Sequence, residues 1–325
     1  MRPSHDGQFA ASAAGELPGV VALRDNTWAV GIPLPVAAPP YTLTYVLADS
    51  AGDLHVVDPG WDAPGNLERL DDALRMIGGS VDRVATVNAT HMHADHLGLA
   101  GRIRAASGAR VAIHSAEQRA LDTGIEVAPD FSGWGVPGEL HEQFSALVGQ
   151  ARPSFAADVL LEHGDLLDIP GREVRVIHTP GHTPGHLALS EPAEELLFTG
   201  DLLLPTIFPG IGLGGPAPDP IADYFASLDA IEALGEPEVC PGHGYGFHGL
   251  GERCGVTRAH QLVRTGEVER IVAAQPEATV WEVASQVTWT DGWANLHGLL
   301  LASALSQTAM RMRYIEGNEI GRRTS

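Results

Sequence analysis

The chain has 325 residues, 44% of them hydrophobic, with 38 Gly and 23 Pro and a formal net charge of -21. Such an apolar share can bury a sizeable core, which excludes a chain disordered as a whole, and the length predicts one large core with a smaller appendage. The acidity disfavours nucleic acid as a partner, because binding to phosphate backbones needs Lys and Arg to displace counterions.

Cys240 and Cys254 stand too far apart for a CxxC knuckle and are too few for a disulfide framework, so both are expected as reduced thiols. The first thirty residues show no basic segment leading into an apolar one. The apolar run at Leu299 to Leu305 is too short to span a bilayer. A cytoplasmic protein without membrane contact is the expectation.

In chain order, residues 1 to 20 are small and polar and read as a frayed leader with little function. Tyr41 to Leu47 and Leu54 to Val57, separated by Asp49-Ser50-Ala51-Gly52-Asp53, predict a hairpin that runs into Asp58-Pro59-Gly60. A helix is predicted over Pro64 to Ile77 from the spacing of Leu67, Leu70, Leu74 and Ile77, and Gly78-Gly79 stops it. A strand at Arg83 to Asn88, a helix at Asp95 to Ala106, a strand at Arg110 to Ile113 and a helix at Ser115 to Leu121 continue a strand and helix alternation.

Residues 122 to 157 break the rhythm and read as a lid insertion or a surface excursion, with a helix at Glu139 to Val148. Phe131, Trp134 and Phe144 in it supply either an apolar substrate wall or the insertion's own core. Strands follow at Val174 to His178, Leu187 to Ser190 and Leu196 to Thr199, then a helix at Pro220 to Leu234. Residues 251 to 325 form a helical module, with stretches near 252 to 274, 279 to 287 and 293 to 315, and residues 1 to 250 form the main domain.

The segment Thr90-His91-Met92-His93-Ala94-Asp95-His96 sits where a predicted strand gives way to a helix. His91 and His93 alternate on one side of an extended loop and can meet one ion, while Asp95 and His96 begin the next turn and can face a second. A lone His is usually an ordinary polar residue, but four potential ligands in six residues crowd one another unless something binds them. Three later segments each end a strand with a metal-competent residue preceded by Gly: Thr179-Pro180-Gly181-His182, Phe198-Thr199-Gly200-Asp201 and Cys240-Pro241-Gly242-His243. Gly is expected there where the backbone turns tightly or approaches another group.

THMHADH, TPGHTPGH, FTGD and PGHG, in that order, resemble the metallo-β-lactamase superfamily over roughly residues 24 to 260. The resemblance implies an α+β fold, a four-layer αββα sandwich with metals at one edge. It implies two zinc ions, with iron or manganese as alternatives. His91, His93 and His182 would hold the first, Asp95, His96 and His243 the second, and Asp201 would bridge them. Asp at 201, where the class B1 β-lactamases carry Cys, is similar to glyoxalase II, the acyl-homoserine lactonases and related esterases and nucleases. Asp219-Pro220, Tyr224, Leu228, the PGHG ending and the helical tail also resemble the lactamase-beta-like branch, which implies a winged-helix-like C-terminal cap.

Two divalent ions would bring the pKa of a bound water toward neutrality, with Asp95 orienting it and relaying its proton. The expected reaction is hydrolysis of an ester, thioester or lactone of a small molecule. The alternatives are a phosphodiesterase or nuclease, or a mono-iron dioxygenase. Arg253, Arg258, Arg264 and Arg270, with Arg311, Arg313, Arg322 and Arg323, would be the basic stripe of a nuclease, although interspersed Glu residues favour solvated helix faces. Asp58 resembles the family's early Asp that supports the metal loops, and His186 is either a support behind the site or a packed residue. His114, His178, His248 and His260 read as ordinary residues. Trp281, Trp289, Trp293, Leu296, Leu300, Leu301 and Leu305 read as core of the tail, or else as a homodimer surface or lid.

Overall fold

A computed structural model of the protein describes residues 1–36, 39–123, 131–141, 156–215, 217–290 and 292–324. Strands β1 to β13 are Arg2–Pro3, Val21–Arg24, Thr27–Pro33, Tyr41–Ala48, Leu54–Val57, Val84–Asn88, Arg110–His114, Val159–Leu161, Arg175–His178, Leu187–Glu191, Leu196–Gly200, Glu238–Pro241 and Phe247–His248. Helices α1 to α9 are Asp6–Ala14, Asn66–Met76, Ala94–Leu97, Ala100–Ser107, Ser115–Thr123, Pro220–Glu232, Leu250–Ala274, Val280–Ala284 and Gly298–Thr324. One sheet runs β2-β3-β4-β5-β6-β7-β8 and the other β1-β13-β12-β11-β10-β9.

The side-chain period of two sorts each strand between layers. In β4, Tyr41, Leu43, Tyr45 and Leu47 enter the core between the sheets, where Val176, Leu187, Leu189, Leu196, Phe198 and Cys240 meet them. Val46, from the other face of β4, joins Val56, Leu70, Leu74, Leu99 and Ile103 beneath α2 and α4. Ile177, Ala188, Leu197 and Val239 leave the second sheet on its outer face to pack under α6 and α7 against Tyr224, Leu228 and Cys254. Helix, sheet, sheet and helix layers result, as the resemblance implies.

Strand direction places the ends. β9 is antiparallel to β10, β10 to β11, and β11 is parallel to β12, so β9, β11 and β12 point the same way. β5, β6 and β7 run parallel in the other sheet. The residues that follow these strands therefore collect at two sheet ends that face each other across the sandwich, where open α/β sheets carry their sites.

Most predicted elements form within a few residues of their expected bounds, and two readings need correction. Residues 1 to 20 are packed rather than frayed. β1 pairs with β13, Ser4 donates its N–H to Gly246 O at 2.9 Å, and the buried Gln8 accepts from Gly246 N–H at 3.0 Å. Phe9 meets Tyr245 edge to face at 5.1 Å. The Ala residues of this supposed frayed leader are strong helix formers, and the docked helix braces the loop that follows His243. The helix expected over 95 to 106 divides into α3 and α4, because Leu99 N–H bonds to Gly60 O at 3.0 Å. A Cβ on Gly98 would stand 2.7 Å from Asp62 N.

The C-terminal region is helical as expected, and no strand forms beyond residue 250 among its described residues, so no wing hairpin is seen there. Leu296, Leu301 and Leu305 are core, with Trp281, Trp289 and Trp293 packed against them, whereas Leu300 is exposed. Phe131 and Trp134 join this same core, and Trp281 N–H bonds to Trp134 O at 2.9 Å. The start of the insertion is thus fastened to the tail. Phe144 and most of the helix expected at Glu139 to Val148 lie outside the described residues. No described helix is long and apolar enough to cross a membrane.

Candidate metal centre

All seven residues that the motifs and the family resemblance single out converge. His91, His93 and His182 form one group whose ligand atoms lie within 4.8 Å of one another, and Asp95, His96 and His243 form another. Asp201 stands between them, with Oδ2 3.8 Å from His182 Nε2, and Oδ1 3.4 Å from His243 Nε2 and 3.5 Å from His96 Nε2. Asp95 Oδ2 is 3.3 Å from His243 Nε2. The ligand loops follow β6, β9, β11 and β12, which is why sites far apart in sequence meet.

The glycines before two of these ligands are required by close approach. A Cβ on Gly242 would lie 2.5 Å from Asp201 Oδ1 and 2.7 Å from His96 Cε1. At Gly200, which has φ +45°, it would lie 2.6 Å from Thr90 Oγ1 and 2.8 Å from His186 Nε2.

The outward nitrogen of each of the five histidines has a partner that determines its tautomer. His96 Nδ1 donates to Asp58 Oδ2 at 2.8 Å, His182 Nδ1 to Gly210 O at 2.7 Å, His243 Nδ1 to Tyr41 O at 2.8 Å and His93 Nε2 to Leu213 O at 3.2 Å. Thr90 Oγ1 gives its own proton to Asp58 and so accepts from His91 Nδ1, 3.0 Å away. On His91, His93 and His182, which burial keeps neutral, the inner nitrogens are left as bare lone pairs. His91 Nε2 and His182 Nε2 then face His93 Nδ1 at 2.9 and 3.2 Å with no proton to share. Lone pairs repel at that distance, whereas nitrogens on one zinc ion, with Zn–N bonds of about 2.0 to 2.1 Å, stand roughly 3.3 Å apart.

Two further atoms show the same demand for a cation. His96 Nε2 and Asp201 Oδ1 are buried without a hydrogen-bond partner. Burial, and then the neighbouring His182, push His93 down to about 3, so it stays neutral and keeps its lone pair. Burial opposes protonation of His243 too, but Asp201 and Asp95 outweigh it and push the ring up to about 10. Burial likewise opposes ionisation of Asp201, and His243 and His96 overcome it to hold the carboxyl well below its usual range. Buried carboxylates that draw protons onto their His neighbours fit a site built for divalent cations.

Behind the ligands stand three supports. Asp58, at φ 53°, accepts from Thr90 N–H at 2.7 Å, Thr90 Oγ1 at 2.8 Å and His96 Nδ1. His186 is fully buried: its Nε2 accepts Asp201 N–H at 3.1 Å, so Nδ1 carries the proton and donates to Thr179 Oγ1 at 2.8 Å. It positions the backbone of Asp201, which resolves its two readings toward support. Glu117 was not read from the sequence. Its carboxylate accepts Met92 N–H at 2.7 Å and Gly185 N–H at 2.6 Å, tying the two ligand loops together. Nothing in the local sequence marks it, since both partners come from other segments.

Asp58→Asn retains one acceptor where three donors arrive, and its amide would confront His96 Nδ1–H. Metal affinity is expected to fall roughly 10–100-fold, measured by competition with a chelator, with the fold intact by circular dichroism.

The other histidines behave as ordinary residues. His114 stacks on His178 at 4.1 Å, and His260 stacks on Phe208 at 3.8 Å. Arg258 pairs with Asp229 at 2.7 Å and Arg264 with Glu267 at 3.0 Å, while Arg253 and Arg311 are buried. These arginines do not form a basic stripe among the described residues.

The sequence profile of the metallo-beta-lactamase superfamily matches residues 38–243, which span every one of these ligands. The chain belongs to that superfamily. A beta-lactamase-like protein 2 homolog of Drosophila melanogaster is 28% identical over 206 residues, 62% of this chain and 58% of that one. A hydroxyacylglutathione hydrolase of Cereibacter sphaeroides is 31% identical over 157 residues, 48% of this chain and 47% of that one. The matches thus span about half of these relatives' lengths. The crystal structure of a metallo-beta-lactamase family protein from Thermus thermophilus superposes with a TM-score of 0.74 at 25% identity, over 92% of this chain and 95% of its own. That likeness reaches beyond the profile-matched part of this superfamily member into its helical tail.

Proposed function

We propose that this superfamily member is a hydrolase that uses two divalent cations, zinc foremost with iron or manganese as alternatives, to cleave an ester, thioester or lactone of a small molecule. The observation that carries the proposal is the convergence of the inner nitrogens of His91, His93, His96, His182 and His243 around Asp201, each ring oriented by a partner on its outward nitrogen. His91, His93 and His182 would hold one cation, Asp95, His96 and His243 the other, and Asp201 would contact both. When bound, such a pair acidifies water toward neutral pH and polarises a carbonyl.

The protein's own contribution is positional. Asp58, His186 and Glu117 hold the ligand loops, so little reorganisation accompanies reaction. The Asp95 side chain is partly exposed, unlike the buried His96, and His96 and His243 overcome burial to keep it ionised. An ionised Asp95 Oδ2 can accept the proton that a water gives up. The acidic surface suits a small substrate and opposes a phosphodiester polymer. We assign residues 1 to 250 to the catalytic body, with 122 to 157 as a lid insertion over the active site, and 251 to 325 to a C-terminal cap.

The test is elemental analysis of the purified protein together with a panel of thioesters, lactones, β-lactams and phosphodiesters. About two equivalents of metal and turnover of a thioester or lactone are expected, and turnover of phosphodiesters alone would overturn the proposal. Asp95→Asn is expected to lower kcat on the order of 10²-fold. An unchanged kcat on every substrate would remove Asp95 from the proton relay.

A further inference from the structure

A cavity of about 410 Å³ lies apart from the metal centre, between α7, α9 and the segment 206 to 209. Its volume falls in the range of sites for small molecules. Phe208, Val268, Val287 and Trp289 supply apolar walls, and Arg311 and Arg264 supply the charge.

Arg311 is 5% exposed, yet none of its nitrogens lies within ion-pair distance of a carboxylate among the described residues. Its Nη1 donates to Gln307 O at 3.1 Å and its Nη2 to Gln261 Oε1 at 2.5 Å, both neutral acceptors, and Nε has no partner. Glu267 compensates it only in part, from beyond ion-pair distance, being engaged by Arg264 at 3.0 Å. Burial, and then the like charge of Arg264, push Arg311 down to about 10, so it remains cationic at neutral pH. A buried cation with no carboxylate in direct contact is costly, and in a chain of formal charge -21 there is no shortage of carboxylates that could have faced it.

We propose that this cavity binds a small organic carboxylate, its anion set against Arg311 and its apolar body between Phe208 and Trp289. One excess positive charge matches a monoanion better than a phosphate dianion. The apolar walls call for an aromatic or aliphatic body rather than a bare ion. The cavity is joined to the metal centre through the chain. Phe208 and Pro209 precede Gly210, whose carbonyl holds His182, and Leu213 O holds His93. On the other side, a Cβ on Gly212 would lie 3.0 Å from the sulfur of Met310, the residue before Arg311. Arg253 fastens this segment by donating to Leu204 O at 2.6 Å and Ile207 O at 2.8 Å, and its guanidinium sits 4.6 Å over the Phe208 ring. A carboxylate seated here would therefore contact the segment that orients two candidate metal ligands.

The test is calorimetric titration of the full-length, metal-loaded protein with 4-phenylbutyrate, its uncharged amide and phenyl phosphate, repeated on Arg311→Met. The carboxylate is expected to bind the wild type on the order of tenfold more tightly than the amide, the worth of one charge-assisted contact. That margin should vanish in Arg311→Met, whose metal centre is untouched. Equal binding of acid and amide, undiminished binding of the acid to Arg311→Met, or binding of phenyl phosphate alone would each overturn the proposal. Should Arg311→Met not fold, a photoreactive phenylbutyrate on the wild type decides. Adducts within 206 to 209, 260 to 268 or 287 to 290 support the cavity, and adducts at 91 to 96 or 243 alone refute it.

Discussion

Asp201→Ala is expected to reduce bound metal from about two equivalents to about one or fewer and to lower kcat roughly a thousandfold, several kcal/mol of lost stabilisation. The expectation rests on where the two carboxylate oxygens lie. Oδ2 faces His182 and Oδ1 faces His96 and His243, so one side chain supplies negative charge to both groups of ligands. Without it, His91, His93 and His182 form an all-neutral group of nitrogens, and the other group retains only Asp95. The backbone should stay in place, because His186 holds residue 201 through its N–H rather than its side chain. Elemental analysis and kcat, with circular dichroism as the control on folding, check the result. Two retained equivalents with kcat within tenfold of wild type would show that the carboxylate does not join the two groups.

The largest effect on stability is expected at a pair remote from the ligands. Arg172 donates Nε to Glu191 Oε1 at 2.7 Å and Nη2 to Glu191 Oε2 at 2.6 Å, a fork that lies almost wholly buried. The same guanidinium bonds Asn26 O at 2.7 Å and Thr27 Oγ1 at 2.7 Å, which fastens the β2–β3 turn of one sheet to β10 of the other. Arg172→Ala leaves the Glu191 carboxylate buried and unpaired, and is expected to destabilise the protein by about 3–5 kcal/mol. Arg172→Lys should recover little, since an ammonium cannot form the two-pronged contact. Pairing Arg172→Met with Glu191→Leu should restore much of the loss, because no charge is then stranded. Urea unfolding at saturating metal measures all three, and a loss below about 1 kcal/mol for Arg172→Ala would show that water reaches the pair.

What was legible in the sequence was what neighbours along the chain determine. The offsets within Thr90 to His96 are local, and a loop leaving a strand turns such offsets into a shared direction, so four of the seven candidate ligands were readable in advance. The glycines before His182, Asp201 and His243 carried the second signal, and contacts at Gly200 and Gly242 now give its cause. The strand and helix alternation from Leu54 to Thr123 was readable for the same reason, since period and turn residues act over a few positions.

Tertiary structure alone decided what depends on partners from elsewhere. Glu117 matters because β7 and α5 bring it beside Met92 and Gly185. His186 could be assigned a role only once Asp201 N–H was seen pointing at it. The opening residues, mostly small, acquire a function in packing only against Gly246 and Tyr245. The docking of Phe131 and Trp134 on the tail, and the stranded charge of Arg311, are likewise invisible in spacing. Local backbone geometry follows from adjacent residues, whereas burial and the pairing of charges follow from which distant segments the sheets bring into contact, and no pattern along a single segment encodes that.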